Sequence, residues 1–219
     1  MIYLFNRKWS DAPTVWIDTE TTGKRPGYDR AVQVAVVRFE GGKPVGSFES
    51  LVHPGMPIGE EAAAIHGITN DMVESAPCIG TIFKLDDVRQ LLNGAQPAAY
   101  NAPFDRYFVP PFLEDWSWPW LDCLSVVRRI DRFVRGSGRH KLDAVCARHG
   151  IELTGAHTAI ADAEASGRLF YKIIPGLIPG VIAGDTIGDL LCWQRHQEAE
   201  QWHNFNAWLS KQPSREVPA

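Results

Sequence analysis

The chain has 219 residues, of which 45% are hydrophobic, and its formal net charge at pH 7 is −4. This length fits one domain with a small appendage, and this composition can form a sizeable buried core. The negative net charge excludes a globally basic nucleic-acid-binding protein, so any bound polyanion must be held by local basic patches or by metal ions.

The cysteines and the N-terminus predict the cellular compartment. The four cysteines are scattered and form no C-x-x-C pair, which favours reduced thiols and argues against a zinc site or a disulfide framework. Residues 1–9 hold too few apolar side chains for a signal peptide, and no apolar run reaches the roughly 18 residues of a membrane span. We therefore expect a cytoplasmic protein that has no membrane partner.

The N-terminal part of the chain predicts strands. Residues 15–20 begin as an apolar run and lead into a Thr22-Gly23 turn, which is typical of a short buried strand. Residues 31–39 are β-branched and mostly apolar, which indicates a buried central strand. A glycine turn then leads to residues 45–52, which alternate as an antiparallel partner would. These three strands predict a meander.

The rest of the chain alternates helices with short strands. A short strand is expected at residues 97–100, and a strand or a turn at residues 121–124. Helical spacing, acidic residues at helix starts and glycines at helix ends predict the other elements. The expected helices are residues 60–66, one after 69–71, 79–92, one that begins at Asp105, a separate one that ends at 130, 141–149, 158–171, and one or two within 185–210. This order of elements favours an α/β or α+β protein with a mixed sheet.

Asp18 and Glu20 stand one residue apart at the end of the first strand. Side chains alternate along a strand, so both carboxylates point to the same side. Two like charges at the end of a buried strand are unfavourable unless a partner neutralises them. Alone, the pair could bind backbone amides or an arginine, but a divalent cation is the usual partner of such a pair.

Two further carboxylates, Asp105 and Asp162, come from distant helical segments. Each alone is more typical of a helix start or of a solvated helix position. Together with Asp18 and Glu20 they form an all-oxygen set, which suits Mg²⁺ or Mn²⁺ better than zinc. Such a set could hold two ions about 4 Å apart, one activating water and the other steadying the leaving oxygen of a phosphodiester.

His157 precedes Asp162 by five residues. Five residues of helix turn through about 500°, so the two side chains would not share a face of one regular helix. We therefore expect His157 just before the helix, from where it could reach a water at the metal site. Its ordinary pKa of about 6.5 suits a general base near neutral pH.

These segments resemble the three motifs of the DnaQ-like, DEDDh 3′→5′ exonucleases. The matching segments are Asp18-x-Glu20, Asn101-x-x-Phe104-Asp105 and His157-x-Ala159-x-x-Asp162. Residues 65–69 also look like the substrate-side motif of this family, and residues 141–151 look like the lead-in to its third motif. The resemblance covers about residues 12–174 and is specific because weak motifs occur together in the right order.

The resemblance implies an α/β, RNase H-like fold, in which helices flank a central mixed five-stranded sheet. It implies an exonuclease domain at residues 1–174 and a C-terminal helical extension at 175–219. The implied reaction is two-metal hydrolysis, with Mg²⁺ or Mn²⁺, that releases 5′-mononucleotides from a single-stranded or frayed 3′ end. DNA is favoured over RNA, and a homodimer or a polymerase partner is left open.

The resemblance also assigns roles to residues, position by position. The four carboxylates Asp18, Glu20, Asp105 and Asp162 become metal ligands, and His157 becomes the general base. The implied substrate contacts are Thr19, Thr21, Ile65, His66, Asn101 and Phe104. Tyr100 stands where many members have histidine, so no contact is carried over to it.

The sequence argues against two other functions and leaves the role of one basic cluster open. A non-catalytic binding module with the same fold would have no reason to keep all five catalytic residue types. All five are present in this chain. An aspartic protease would need a second D-T-G motif, and Glu20 replaces the glycine of the first. The basic cluster between Arg128 and Lys141 is as consistent with a solvated face as with phosphate contact.

Overall fold

The computed structural model describes residues 2–109, 119–155, 158–178 and 180–209, with side chains at 4–203 of these ranges. Its strands form one sheet in the order β3-β2-β1-β4-β5. Their bounds are β1 (Thr14–Thr21), β2 (Ala31–Glu40), β3 (Lys43–Leu51), β4 (Gln96–Ala99) and β5 (Leu121–Asp122). β1, β2 and β3 pair antiparallel, whereas β4 is parallel to β1 and to β5. The predicted meander and the predicted mixed sheet are confirmed.

Helices cover both faces of this sheet. In the described ranges they are α1 (Ile2–Phe5), α2 (Glu60–His66), α3 (Asn70–Val73), α4 (Ile79–Ile82), α5 (Asp86–Leu92), α6 (Ala102–Phe108), α7 (Cys123–Ile130), α8 (Leu142–His149), α9 (Ala159–Ile173) and α10 (Ile187–Leu209). Gly67 and Gly150 end α2 and α8 in the left-handed conformation, as their glycine stops predict. None of the helices described combines the length and the apolar character that crossing a membrane requires.

Two helix predictions need correction. The single helix expected over 79–92 is two helices, because the backbone of Leu85 is extended and starts a new helix at Asp86. The break lets Ile82, Phe83 and Val88 all pack into one apolar cluster. Asp105 does not open α6, which begins at Ala102; a proline in the first turn starts that helix.

β1 separates two apolar layers. Trp16 packs into the cluster that α7, α8 and α9 cover, whereas Val15 and Ile17 pack into the cluster on the opposite face, which α4, α5 and α6 cover. This is the two-residue alternation of a strand that is buried on both faces. Asp18 and Glu20 follow Trp16 by two and four residues, so their side chains lie on the same face of β1 and point toward α9.

The residues after 174 belong to the same apolar core as α9. Leu177, Ile182, Ile187 and Leu191 all pack into the cluster that contains Trp16. The α10 side chain of Gln194 accepts from the backbone N–H of Asp122 at 2.8 Å and donates to the backbone oxygen of Trp120 at 3.0 Å. The extension is helical, as predicted, and it caps β5. The domain boundary at residue 174 stays a prediction.

Small residues allow α9 to lie close to the sheet, and Gly167 makes the tightest approach. A Cβ atom there would lie 2.6 Å from two ring carbons of Phe39 and 3.0 Å from Trp16. We expect Gly167→Ala to lower the free energy of unfolding by about 1–3 kcal/mol through overpacking, partly offset by about 1 kcal/mol of helix propensity. Chemical denaturation would measure this loss.

Gly176→Ala is the matched control, because the atom nearest to its added Cβ is 3.9 Å away. We expect it to leave the free energy of unfolding within about 0.5 kcal/mol of the unchanged chain. A Gly167→Ala chain as stable as this control would contradict the close packing of α9 on Phe39.

Candidate active site

Three carboxylates from two elements converge at the end of β1. Asp18 and Glu20 project from β1 toward the α9 face, and Asp162 lies in the first turn of α9. Each of the three offers an oxygen that lies within 4.8 Å of the oxygens of the other two. Oxygens on opposite sides of a Mg²⁺ ion lie about 4.2 Å apart, so this group fits a shared divalent cation with little movement.

Asp105 reaches the same place from the opposite face of the sheet. It is 4% exposed, and its Oδ1 accepts from the backbone N–H of Thr19 at 3.0 Å and from the Thr19 hydroxyl at 2.9 Å. Thr19 points to that face because its neighbours Asp18 and Glu20 point to the other. Asp105 therefore lies beside the three-carboxylate group and is bonded to β1 between its two acidic residues.

The crowded carboxylates hold protons more tightly than isolated ones do. Burial raises the pKa of Asp18 well above its usual range, and the charges of Asp105, Asp162 and Glu20 raise it further. Burial, with the charges of Asp162 and Asp105, raises the pKa of Glu20 to about 7. Burial also raises the pKa of Asp105 to about 7, although the Thr19 hydrogen bonds oppose it. Such mutual repulsion is what a bound cation would relieve.

The end of α2 is bonded to the end of β1 through His66. The Nδ1 atom of His66 accepts from the backbone N–H of Ile68 at 3.0 Å, so Nε2 carries the proton and donates to the backbone oxygen of Thr21 at 3.3 Å. Burial lowers the pKa of His66, which favours this neutral form. Ile65, its neighbour on α2, is 51% exposed.

The remaining residues predicted to contact substrate lie on or before α6, next to Asp105. Asn101 is exposed and stands directly before that helix. Phe104 is half-buried and packs against Phe108, with their ring centroids 4.9 Å apart. Thr19 and Thr21 are both buried in β1. The predicted substrate residues thus lie on elements that meet at the end of β1, and their contact with substrate stays a prediction.

His157, the predicted general base, lies outside the described residues. α9 begins at Ala159, two positions further along the chain. The start of this helix is anchored to the sheet, since the backbone N–H of Ile160 donates to the Glu49 carboxylate of β3 at 3.1 Å. This hydrogen bond fixes the first turn of α9, which carries Asp162.

The structure adds Asp122, which the motif reasoning misses. Its carboxylate accepts from the backbone N–H of Ala102 at 3.1 Å and from the Ser125 hydroxyl at 2.6 Å. It therefore joins the start of α6, which carries Asp105, to the start of α7. The signal available in the sequence was an aspartate directly before a helix, since such residues cap N-termini.

Comparison with known proteins places the chain in a family. The RNase T exonuclease family model matches residues 15–170. A DNA polymerase III subunit epsilon-like protein from Rhodobacter capsulatus is 36% identical over 172 residues, which are 74% of this chain and 24% of that protein. A PolC-type DNA polymerase III from Bacillus cereus is 32% identical over 174 residues, covering 77% of this chain. The chain spans only 12% of that polymerase.

Solved structures show the same fold. Exonuclease X in complex with 5′-overhanging duplex DNA superposes with a TM-score of 0.63 at 27% identity, over 81% of this chain and 99% of that one. The nuclease domain of 3′hExo, a DEDDh family member bound to rAMP, gives a TM-score of 0.62 at 17% identity, over 78% of this chain and 95% of that one. The RNase H-like fold is therefore confirmed, with its acidic cluster at the end of the first strand. From its matched residues 15–170, the chain belongs to the RNase T exonuclease family, the DnaQ-like exonucleases.

Proposed function

We propose that the chain is a metal-dependent 3′→5′ exonuclease that shortens DNA by hydrolysing the last phosphodiester at a 3′ end. The observation that carries this proposal is the convergence of Asp18, Glu20 and Asp162 within 4.8 Å, with Asp105 bonded beside them. A site of four carboxylates attracts hard divalent cations and repels a bare phosphate, so cations are needed to bring substrate and site together.

Each part of the site has a task in this proposal. When bound, two divalent ions would make the attacking water more acidic and stabilise charge on the leaving 3′-oxygen. Asp18, Glu20, Asp105 and Asp162 would hold them. His157 would take a proton from the attacking water, as a neutral imidazole can near pH 7. The Thr19 hydrogen bonds would keep Asp105 aligned with β1.

The substrate side of the site is proposed from the same geometry. Thr21, His66 and the exposed Ile65 would contact the terminal nucleotide from the side of α2, and Asn101 and Phe104 would contact it from the side of α6. Side chains that contact the terminal nucleotide from two sides would accept an unpaired nucleotide more readily than a base pair. Exonuclease X, one of the similar proteins solved with DNA, holds a duplex with a 5′ overhang, which supports a recessed or frayed DNA 3′ end as substrate.

One assay tests this function. The full chain is incubated with 3′- or 5′-labelled single-stranded DNA, duplex DNA with a 5′ overhang, and RNA, in Mg²⁺, Mn²⁺ or EDTA. We expect a ladder that shortens from the 3′ end, is lost in EDTA and forms faster on DNA. Intact substrates under every metal condition would refute the enzyme, and products that begin internally or at the 5′ end would refute the polarity.

A polymerase partner is a separate proposal, supported by the polymerase names of the relatives. Because the chain spans 24% or less of these relatives, their assemblies do not transfer with the domain. Analytical ultracentrifugation of the chain alone and with a replicative polymerase would separate a monomer, a homodimer and a polymerase complex.

Metal and pH should act on stability together. The raised pKa values of Asp18, Glu20 and Asp105 mean that the metal-free fold gains stability from protonation, fully below about pH 4. That contribution is lost as the pH rises through about 7. In EDTA we therefore expect Tm to fall between about pH 5 and pH 8. Mn²⁺ at about 100 times its Kd would restore about 2.7 kcal/mol at the higher pH, and less at pH 5, where protons compete.

Asp18→Asn provides the control for this melting experiment, because it removes one of the repelling charges. We expect its Tm in EDTA at about pH 8 to exceed that of the unchanged chain, and its rise with Mn²⁺ to be smaller. An equal Mn²⁺ effect at both pH values, or an equal effect in the Asp18→Asn chain, would contradict the proposed cation site.

A further inference from the structure

The segment from the last turn of α7 to the start of α8, residues 128–141, is strongly basic. We call it the basic loop. Its six cationic residues are Arg128, Arg129, Arg132, Arg135, Arg139 and Lys141, and its one acidic residue is Asp131. The segment therefore carries a net charge of +5, whereas the whole chain carries −4. Charge of one sign concentrated in this way creates a local positive potential that attracts polyanions.

Within the described ranges, the cations of the basic loop have almost no acidic partners. Asp131 is already occupied, since its carboxylate accepts from the Arg148 guanidinium at 2.5 Å and from His149 Nε2 at 3.1 Å. Arg128 donates to the amide oxygen of Gln201 at 3.1 Å. No described carboxylate lies within ion-pair distance of the other five cations of the loop. A merely solvated surface usually intersperses charges of both signs, which this loop does not.

An exposed aromatic ring lies in the middle of these cations. Phe133 is 79% exposed, and the guanidinium carbon of Arg132 lies 4.7 Å from its ring centroid. Leaving a phenylalanine in water forgoes about 1.5–3 kcal/mol of burial free energy, so its exposure points to a partner. Sites for single-stranded nucleic acid combine such rings, on which bases stack, with cations that follow the backbone.

The basic loop runs toward the carboxylate site. At one end, Asp131 is bonded to Arg148 and His149 at the C-terminal end of α8. At the other end, the backbone oxygen of His140 accepts from the Tyr100 hydroxyl at 2.6 Å. Tyr100 follows β4 directly, at the sheet edge where the parallel strand β1 also ends in its carboxylates.

The length of the loop suits several phosphates. It spans about the length of α8, whose eight residues rise about 12 Å. Its turns are closed by backbone hydrogen bonds, from Val134 to the Asp131 oxygen at 2.8 Å and from Lys141 to the Gly138 oxygen at 3.0 Å. The cations therefore lie on a segment whose backbone turns are fixed by hydrogen bonds.

We propose that the basic loop binds the upstream part of the strand whose 3′ end enters the carboxylate site. Its exposed cations contact successive phosphates, and Phe133 stacks on one unpaired base. The occupant is a single-stranded nucleic acid, and this proposal rests on the proposed function for the position of its 3′ end. The loop would then determine affinity for long strands without taking part in the chemistry.

The test is the salt dependence of binding, measured by fluorescence anisotropy in EDTA with 5′-labelled single-stranded DNA of about 20 nucleotides, longer than such sites. Each lost phosphate contact reduces the slope of log K against log salt by about 0.7 for single strands. The triple variant Arg132→Ala, Arg135→Ala, Arg139→Ala should therefore have a slope that is shallower by about 2. The corresponding triple lysine variant should keep most of the slope.

A matched control removes the same charge from the other face of the sheet. Lys43, Lys84 and Arg89 are exposed, and the last two lie beside or on helices of the opposite layer. Changing all three to alanine should leave the slope unchanged. Equal slope losses in the two triple alanine variants would overturn the proposal, because the slope would then depend only on net charge. No loss in either variant would also overturn it, because the basic loop would then make no phosphate contacts.

Phe133 and substrate length give independent readouts. Phe133→Ala should weaken binding of the long strand about 10-fold, and Phe133→Trp should restore it, as expected for base stacking. In Mg²⁺, the triple alanine variant should raise KM for the long strand and leave cleavage of a trinucleotide unchanged. Equal loss on both substrates would overturn the loop assignment. A wild-type chain that binds but cleaves neither substrate would refute the proposed function, and the salt slope would still decide the loop.

Discussion

Replacing Asp162 by asparagine is expected to lower kcat on single-stranded DNA by at least about 1000-fold, which corresponds to about 4 kcal/mol of transition-state stabilisation. Asp162 is the member of the carboxylate group that arrives from α9, whereas Asp18 and Glu20 share one strand. An amide is neutral and binds hard cations weakly, so the cation site would lose both a charge and a ligand. Single-turnover cleavage of a 3′-labelled strand in Mg²⁺ would measure the loss.

Glu164→Gln is the matched control for this substitution. Glu164 lies two residues further along α9 and pairs with Arg168 at 2.6 Å, on the exposed side of the helix. The two variants therefore remove the same charge from the same helix. We expect the Glu164→Gln chain to keep its activity within about twofold, because an exposed ion pair contributes about 0–1 kcal/mol.

The Asp162→Asn chain should also remain folded. The core contacts of α9 come from residues such as Leu169 and Phe170, which the substitution does not touch. Removing one repelling charge should raise Tm in EDTA, as for Asp18→Asn. Activity above about a tenth of the unchanged chain would contradict the assignment of Asp162 as an essential ligand. So would an equal loss of activity in the Glu164→Gln chain.

The position of Asp18 and Glu20 could be predicted because it depends on a local rule. Strand alternation puts both on one side of β1, and the structure shows that this is the side of Trp16. Which layer covers that side is not a local property. Only the likeness of residues 157–162 to a motif connected Asp162 with β1 before the fold was known, and the structure brings the two together through α9.

The spacing of the motifs could not predict how Asp105 reaches the site. The motif predicts a fourth carboxylate at the site, but it does not predict the face from which the side chain arrives. α6 packs on the opposite layer from α9, so Asp105 approaches β1 from behind and bonds to Thr19. A threonine between two acidic residues thus acquires a partner that no pattern in β1 alone could indicate.

Errors in the helix predictions also have tertiary causes. Residues 79–92 read as one helix because every local preference is satisfied, yet the chain breaks at Leu85 so that three apolar side chains reach one cluster. The contacts of the predicted helical extension after 174 could not be read from its local sequence. Its apolar residues complete the core above α9, and Gln194 satisfies backbone groups at β5.

His157→Ala is expected to lower kcat by about 100- to 10,000-fold, the usual contribution of a positioned general base. The loss should lie in the chemical step, because the four carboxylates proposed as metal ligands are unchanged. Two observations would then separate His157 from a metal ligand. The rise of Tm with Mn²⁺ should equal that of the unchanged chain, and added imidazole should restore part of the rate.

The pH profile of His157→Ala carries the sharper argument. In the unchanged chain the rate should increase with pH as the general base loses its proton, and this rise should disappear in the variant. His196→Ala, an exposed histidine on α10, is the control and should leave both this rise and the rate in place. If the rate of the His157→Ala chain still increased with pH, another group would be responsible for that increase. Glu20, whose pKa is raised to about 7, would then be the first residue to replace.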